Sequence, residues 1–279
     1  MTILTLTLIV FIGSMLAGFL GSLTGLGGGV VIIPMLTLVF GIDIRYAIGT
    51  SIVAVIATSS GAAAAYVKEG ITNIRLGMFL EIATTLGAIG GAFLAVFAPT
   101  NVIAIIFGCI LIFSAILSLQ KKVSHVENDP RSKLARLLRL NNTYPDHTGA
   151  IIPYTVKNIP GGFFMMLLAG ILSGLLGIGS GALKVLAMDN IMRIPFKVST
   201  TTSNFMIGVT AAASAVVYFQ RGYIDPGLCL PVTLGVLGGA SLGSLVLTKS
   251  DTKWLRWVFA IVITALAIEM IYNGAAHNL

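Results

Sequence analysis

Long apolar stretches separated by short polar ones run the whole length of this chain, and the pattern occurs twice. Ten apolar segments fall into two sets of five. They are 3–22, 28–41, 45–67, 75–98 and 101–119, then 160–176, 180–192, 196–219, 227–248 and 253–273. A helix needs about 20 apolar residues to cross the hydrocarbon of a bilayer. The second segment of each set is too short, because 13 helical residues cover only about 20 Å. Each short segment therefore predicts a half-helix that enters the membrane and meets its predecessor at a break.

Glycines mark both breaks. The first carries Gly18, Gly21, Gly25, Gly27, Gly28 and Gly29, and the second carries Gly170, Gly177, Gly179, Ser180 and Gly181, at an offset of 152 residues. At that offset Arg45 falls on Lys197, Thr50 and Ser51 on Thr202 and Ser203, Tyr66 on Tyr218, and Gly87 and Gly91 on Gly239 and Gly243. Glycine is costly inside a helix and suited to unusual backbone conformations. Matched glycine breaks in the two halves of an apolar chain point to the binding site of a membrane transporter. The sequence thus divides into a first membrane repeat (1–119), a basic linker (120–158) and a second membrane repeat (159–279).

Composition agrees. Of 279 residues, 56% are hydrophobic and 10% charged, with a mean hydropathy of +0.98; a soluble domain carries about 25% charged residues. The class is an all-α integral membrane protein. The first 20 residues hold no basic residue ahead of their apolar run, so they read as a retained helix and not a cleaved signal. A net charge of +7 in such a chain reflects basic cytoplasmic loops, not a nucleic-acid partner. Cys109 and Cys229 both lie in apolar runs, and His125, His147 and His277 are scattered, so neither a disulfide framework nor a metal site is expected. The glycine stretches lack the flanking strand and the Lys-Ser/Thr of a phosphate-binding loop. No cofactor and no enzymatic constellation is read from the chain.

Loop charges select a topology. If each glycine-linked pair returns to the side it came from, loops 67–75, 120–158, 192–197 and 248–256 share one face with 14 Lys/Arg, against two, Arg45 and Arg221, on the other. If each pair crosses once instead, the split is ten against six. The positive-inside rule prefers the first arrangement. It makes each pair re-entrant, places both termini outside and the linker in the cytoplasm, and inverts the two repeats relative to each other. Within the linker, residues 130–140 form a short basic amphipathic pattern suited to lying on headgroups.

Candidate site residues follow from the breaks. A half-helix beginning at Gly28 or Ser180 presents unpaired backbone N–H groups, and its dipole favours an anion. Gly27, Gly28, Gly29, Gly179, Ser180 and Gly181 would form the cradle; the alternative is that they only permit close helix packing. Thr50, Ser51, Thr202, Ser203 and Asn204 begin the next helix of each half and can donate to an oxyanion, or bond back to their own helix. Lys184 stands three residues after Gly181, where a cation opposes the helix dipole. An anionic substrate would explain it; snorkelling or pairing with an acid are the other readings. Its counterpart is Ile32, so the role is asymmetric. Glu81, inside an apolar segment, is a candidate proton-coupling carboxylate or an interfacial one. Glu269 lies near a membrane end and reads as solvated, while Asp189 and Asn190 read as a loop or cap.

The run from Gly21 through Gly25, Gly27, Gly28 and Gly29 to Pro34, with its weaker second copy at Gly177–Gly181, resembles the sulfite exporter TauE/SafE family. Ser180 replaces a glycine in that copy, and Leu186 stands where the first has Pro34. The resemblance covers nearly the whole chain. It implies a bacterial inner-membrane permease for sulfite, sulfonates or related organosulfur anions. The expectation is a secondary transporter working by alternating access on a small anionic substrate in the lipid bilayer. The small-residue faces could pack helices within one chain or in a homodimer. An anion channel, a carboxylate carrier, or a membrane enzyme or accessory subunit are the alternatives.

Overall fold

Helix α1 (Ile3–Thr24) runs to the first break, and the short α2 (Gly29–Pro34) leaves it and passes straight into a π-turn, Met35–Val39. Three long helices complete the first half: α3 (Ile44–Lys68), α4 (Ile74–Phe97) and α5 (Thr100–Leu119). The second half repeats this order with α7 (Ile159–Leu176), α8 (Gly181–Leu186) and its π-turn Ala187–Ile191, α9 (Phe196–Gln220), α10 (Pro226–Leu247) and α11 (Thr252–Ala275). The π-turns themselves sit 152 residues apart. This is a computed structural model, and it describes residues 3–24, 28–68, 70–119, 133–145, 151–247 and 252–276.

Glycine contacts set how the helices run past one another. A Cβ on Gly170 would strike the backbone of Thr84, and one on Gly174 the backbone of Ala88, so α4 and α7 run parallel. Gly235 lies against Phe11 and Gly239 against Met15, so α1 and α10 also run parallel. Each half's fourth helix thus packs on the first helix of the other half. By contrast α3 and α9 run antiparallel. Tyr46 meets the Tyr223 ring edge-on at 5.5 Å between centroids, and Ser59 lies against Gly208. Helices α5 and α11 are antiparallel too, with Gly108 against Ala267 and Gly274 against Asn101. Gly87 and Gly91 press on α7 and Gly239 on α1, so these small residues are spent on contacts within the chain.

The second glycine-linked pair turns back on itself. The Lys157 N–H, just before α7, donates to the Met192 carbonyl, just after the return, at 3.0 Å. In the first pair, the Met35 side chain packs on Gly13 of α1. One end of the bundle gathers Lys157, Arg193, Lys197 and the start of α4, and the other gathers Arg45, Arg221, Tyr46 and Tyr223. There the Arg45 guanidinium donates to the Ala98 carbonyl at 2.8 Å and Arg221 sits over the Phe97 ring.

Of the basic amphipathic stretch 130–140, residues 130–132 lie outside the described residues, and α6 spans Lys133–Leu137. A β-hairpin follows that the sequence did not announce. Strands β1 (Asn142–Pro145) and β2 (Ile151–Tyr154) pair antiparallel, with Tyr144 opposite Ile152. The linker is tied down. Asn73 caps α4 by accepting from Leu76 N–H at 3.1 Å, and its amide donates to the Leu140 carbonyl at 2.9 Å and the Tyr154 hydroxyl at 2.8 Å. Burial pushes the ionisation of that phenol upward, so it stays neutral. Leu140, Tyr144, Tyr154 and Val156 join Leu76, Met188 and Met192 in one apolar cluster.

Outward, the bundle shows large apolar side chains, among them Leu16, Leu86, Phe97, Phe164, Leu230 and Ile268. Among the described residues α4, α7 and α9 are long and apolar enough to cross a membrane. A surface of this kind suits lipid, not water.

The helix contacts generate a direct expectation. Gly174→Ala and Gly239→Ala should each cost about 1–3 kcal/mol of stability by overpacking a backbone contact. Gly90→Ala and Gly238→Ala, which face open space, should cost nothing. Thermal melting in detergent checks this, and four equal melting temperatures would refute the packing.

Candidate functional site

The second break is built by backbone that ordinary residues avoid. Helix α7 ends at Gly177, whose φ of +66° closes the helix as its N–H bonds Ser173. Gly179 follows at φ +73°, wedged between Ile207 and Val55, which are themselves repeat counterparts. Ser180 then caps α8 at φ +47°, a conformation that costs a residue with a Cβ about 1–2 kcal/mol. Its hydroxyl bonds nothing: Ser180 Oγ is buried and without a hydrogen-bond partner.

Of the first break, Gly25 and Gly27 lie outside the described residues. Gly28 is buried, and its carbonyl accepts from the N–H groups of Val31 and Ile32 at 3.1 and 3.0 Å. The two breaks meet. Ser51 Oγ donates to the Gly177 carbonyl at 3.0 Å, and a Cβ on Gly29 would lie 2.5 Å from Ser51 Oγ and 3.3 Å from that same carbonyl. Ser203, the counterpart of Ser51, donates to the Gly181 carbonyl at 3.2 Å. Beside this junction a cavity of about 10 Å³ is lined by Val30 of α2, Ile110 and Ser114 of α5, and residues 178, 180, 181, 182 and 183 of the second break. It has room for about one water.

The intended hydroxyl set separates. Ser51 and Ser203 brace the breaks and do not bond back to their own helices. Thr202 accepts from the Asn73 N–H at 3.1 Å, and Thr50 faces the Cys229 thiol at 3.8 Å. Asn204 is half-buried on α9. Asp189 is buried in the π-turn, whereas Asn190 and Glu269 are exposed.

Lys184 and Glu81 come together. Lys184 is fully buried, and its ammonium donates to Thr210 Oγ1 at 2.6 Å. Thr210 in turn donates to Glu81 Oε1 at 2.6 Å, and Thr85 donates to the same oxygen at 3.2 Å. Three elements from both halves, α8, α9 and α4, are joined by this chain. Glu81 Oε2 is buried with no hydrogen-bond partner. Lys184 does not line the cavity, and its ammonium reaches the Glu81 carboxylate through the Thr210 hydroxyl. Thr210 was not anticipated. The signal was its match at the 152-residue offset with Thr58, which bonds only to its own helix at the carbonyls of Ala54 and Val55. Tyr218 was likewise visible only as a repeat match. Its hydroxyl satisfies the Gly174 and Leu175 carbonyls at 3.1 and 3.3 Å, at the end of α7.

A buried ion pair is costly to break by halves. Lys184→Met should therefore destabilise the protein by about 3–5 kcal/mol, while Lys184→Met combined with Glu81→Gln should recover most of the loss. Thermal unfolding of the three proteins checks this; additive losses would show that the two charges do not interact.

Comparison with known proteins adds the family. The model of the sulfite exporter TauE/SafE family matches residues 10–270. Probable membrane transporter protein YunE of Bacillus subtilis is 29% identical over 268 residues, covering 93% of this chain and 95% of its own. YdhB of the same organism, also a probable membrane transporter protein, is 27% identical over 237 residues, covering 85% of this chain and 87% of its own. A probable membrane transporter protein of Xylella fastidiosa is 26% identical over 274 residues, 97% of either chain. No solved structure matches. With its broken helices, its lipid-suited surface and a family match over nearly its full length, the chain is a multi-pass membrane protein of the sulfite exporter TauE/SafE family.

Proposed function

We propose that this protein is a secondary transporter of a small sulfur-containing anion, such as sulfite or a sulfonate, and that it works by alternating access between two inverted repeats. The observation that carries the reading is the meeting of the two glycine breaks at Gly29, Ser51 and Gly177. The antiparallel course of the equivalent helices α3 and α9, and of α5 and α11, supports inversion. Irregular backbone at membrane depth is tolerated where it is buried in protein or lines a cavity. A buried serine hydroxyl with no partner at such a place suits an oxyanion, which accepts what that group has to donate. The family's name supports the sulfur oxyanion class. The cavity beside Ser180, with room for about one water, would have to widen to admit such an anion.

We place the protein in the cytoplasmic membrane with both termini outside. The basic end that carries Lys157, Arg193, Lys197 and the linker then faces the cytoplasm. After replacement of Cys109 and Cys229, a cysteine at Ile151 should react with an impermeant maleimide only in inside-out vesicles, and one at Asp225 only in right-side-out vesicles. The reverse result would invert the topology.

The substrate test is thermal stability in detergent against sulfite, sulfate, thiosulfate, methanesulfonate and acetate at fixed ionic strength. A ligand at about 100 times its dissociation constant stabilises by about 2.7 kcal/mol. A sulfur oxyanion should shift the melting temperature and acetate should not; a shift with acetate alone would favour a carboxylate carrier. Ser180→Gly should relieve the left-handed strain and raise stability by about 1 kcal/mol. The same change should weaken anion binding by about tenfold or more, the worth of a hydrogen bond to a charged group. Unchanged affinity would remove Ser180 from the site.

A further inference from the structure

The Lys184–Thr210–Glu81 chain is a charge pair buried in the bundle interior beside the second break, and a membrane protein keeps such a pair at a cost. Its bonding has a second arrangement already laid out. Thr210 has one proton to give, and two acceptors lie within reach: Glu81 Oε1 at 2.6 Å and the Met206 carbonyl at 2.9 Å. With Glu81 ionised, the hydroxyl gives its proton to the carboxylate and accepts from Lys184. With a proton from water added to Glu81, the carboxylic acid becomes the donor to Thr210 Oγ1, and the hydroxyl turns to Met206. Every hydrogen bond survives, but the negative charge is gone. Lys184 is then a fully buried cation with no carboxylate to balance it. An anion at the break one turn away is the group that restores neutrality.

We propose that anion binding is linked to uptake of one proton at Glu81, because Lys184 is balanced either by the Glu81 carboxylate or by the bound anion. This rests on the anion-transport reading and specifies its coupling ion. It also accounts for the asymmetry of the repeat, since the position matching Lys184 is Ile32 and the position matching Glu81 is Thr233: one coupling site serves the whole chain. No other described charge faces the pair. Helix α7, packed along α4, carries no ionisable side chain. On α9, Lys197 is held on the Pro145 carbonyl and Tyr218 on the carbonyls of Gly174 and Leu175. On α3, Arg45 is held at the far end by Ala98, and on α4 itself Arg75 lies at the first turn, six residues before Glu81. Asp189 sits in the π-turn five residues beyond Lys184.

Isothermal titration with methanesulfonate and with thiosulfate tests this, because both stay fully ionised and bring no proton of their own. Runs in two buffers of different ionisation enthalpy count the protons taken up. The wild-type protein should take up one proton per anion, and affinity should rise about tenfold per pH unit of acidification until the empty site is protonated. Glu81→Gln, which fixes the neutral form, should bind at high pH as tightly as the wild type does at low pH, with no proton uptake. Binding without proton uptake in the wild type would overturn the coupling and leave the anion site standing, and that arm needs no variant to fold. Absence of binding by either anion at any pH would overturn the anion reading and this inference with it.

Discussion

A helix that stops halfway across a bilayer leaves backbone carbonyls and N–H groups where there is no water to bond them, and everything else in this fold answers that problem. Hydrocarbon offers no partner, so protein must supply one. Here the Tyr218 hydroxyl takes the last carbonyls of α7, Ser51 takes Gly177 and Ser203 takes Gly181. These donors come from α3 and α9, the two helices that cross at the centre. The breaks are therefore not free to drift apart from the helices that flank them.

That requirement explains why glycine is concentrated where it is. Side chains long enough to reach a broken helix must start from backbones that lie close to it. Gly87, Gly91, Gly170 and Gly174 bring α4 and α7 into backbone contact, and Gly235 and Gly239 do the same for α1 and α10. At Gly29 the absence of a Cβ has a second use, for it leaves Ser51 room to bond across to the other half. Close packing and the meeting of the two breaks are thus one requirement.

The long helices and the breaks were legible because they depend on local pattern: apolar length, glycine position and the 152-residue offset. Lys157, Arg193 and Lys197 gather at one end of the bundle and Arg45 and Arg221 at the other, the separation of charge that the loop pattern predicts. Lys184 and Glu81 stand out singly in the sequence, but their connection does not. Lys184 and Glu81 are 103 positions apart, and only the packing of α8 and α4 against α9 brings them to one threonine. Thr210 looked like any hydroxyl in an apolar helix. The β-hairpin was hidden for a different reason. Its strands are four residues each, and their stability comes from Asn73 and the helix ends beneath, not from their own alternation.

That hairpin breaks the equivalence of the two ends. Asn73 and Lys197 are bonded to linker carbonyls and Lys157 of the linker to Met192, all at one end, and no second linker joins the halves at the other. Under alternating access, two matched halves alone would expose either side at equal cost. A seal tied to one end lowers the free energy of whichever state keeps that end shut, so the resting population is skewed. Apparent affinity falls with the fraction of protein in the competent state. The two faces of the membrane would then load at different concentrations, although the gradient at which net flow stops is untouched. On the proposed alternating-access mechanism, the linker would rectify rates without being a source of energy.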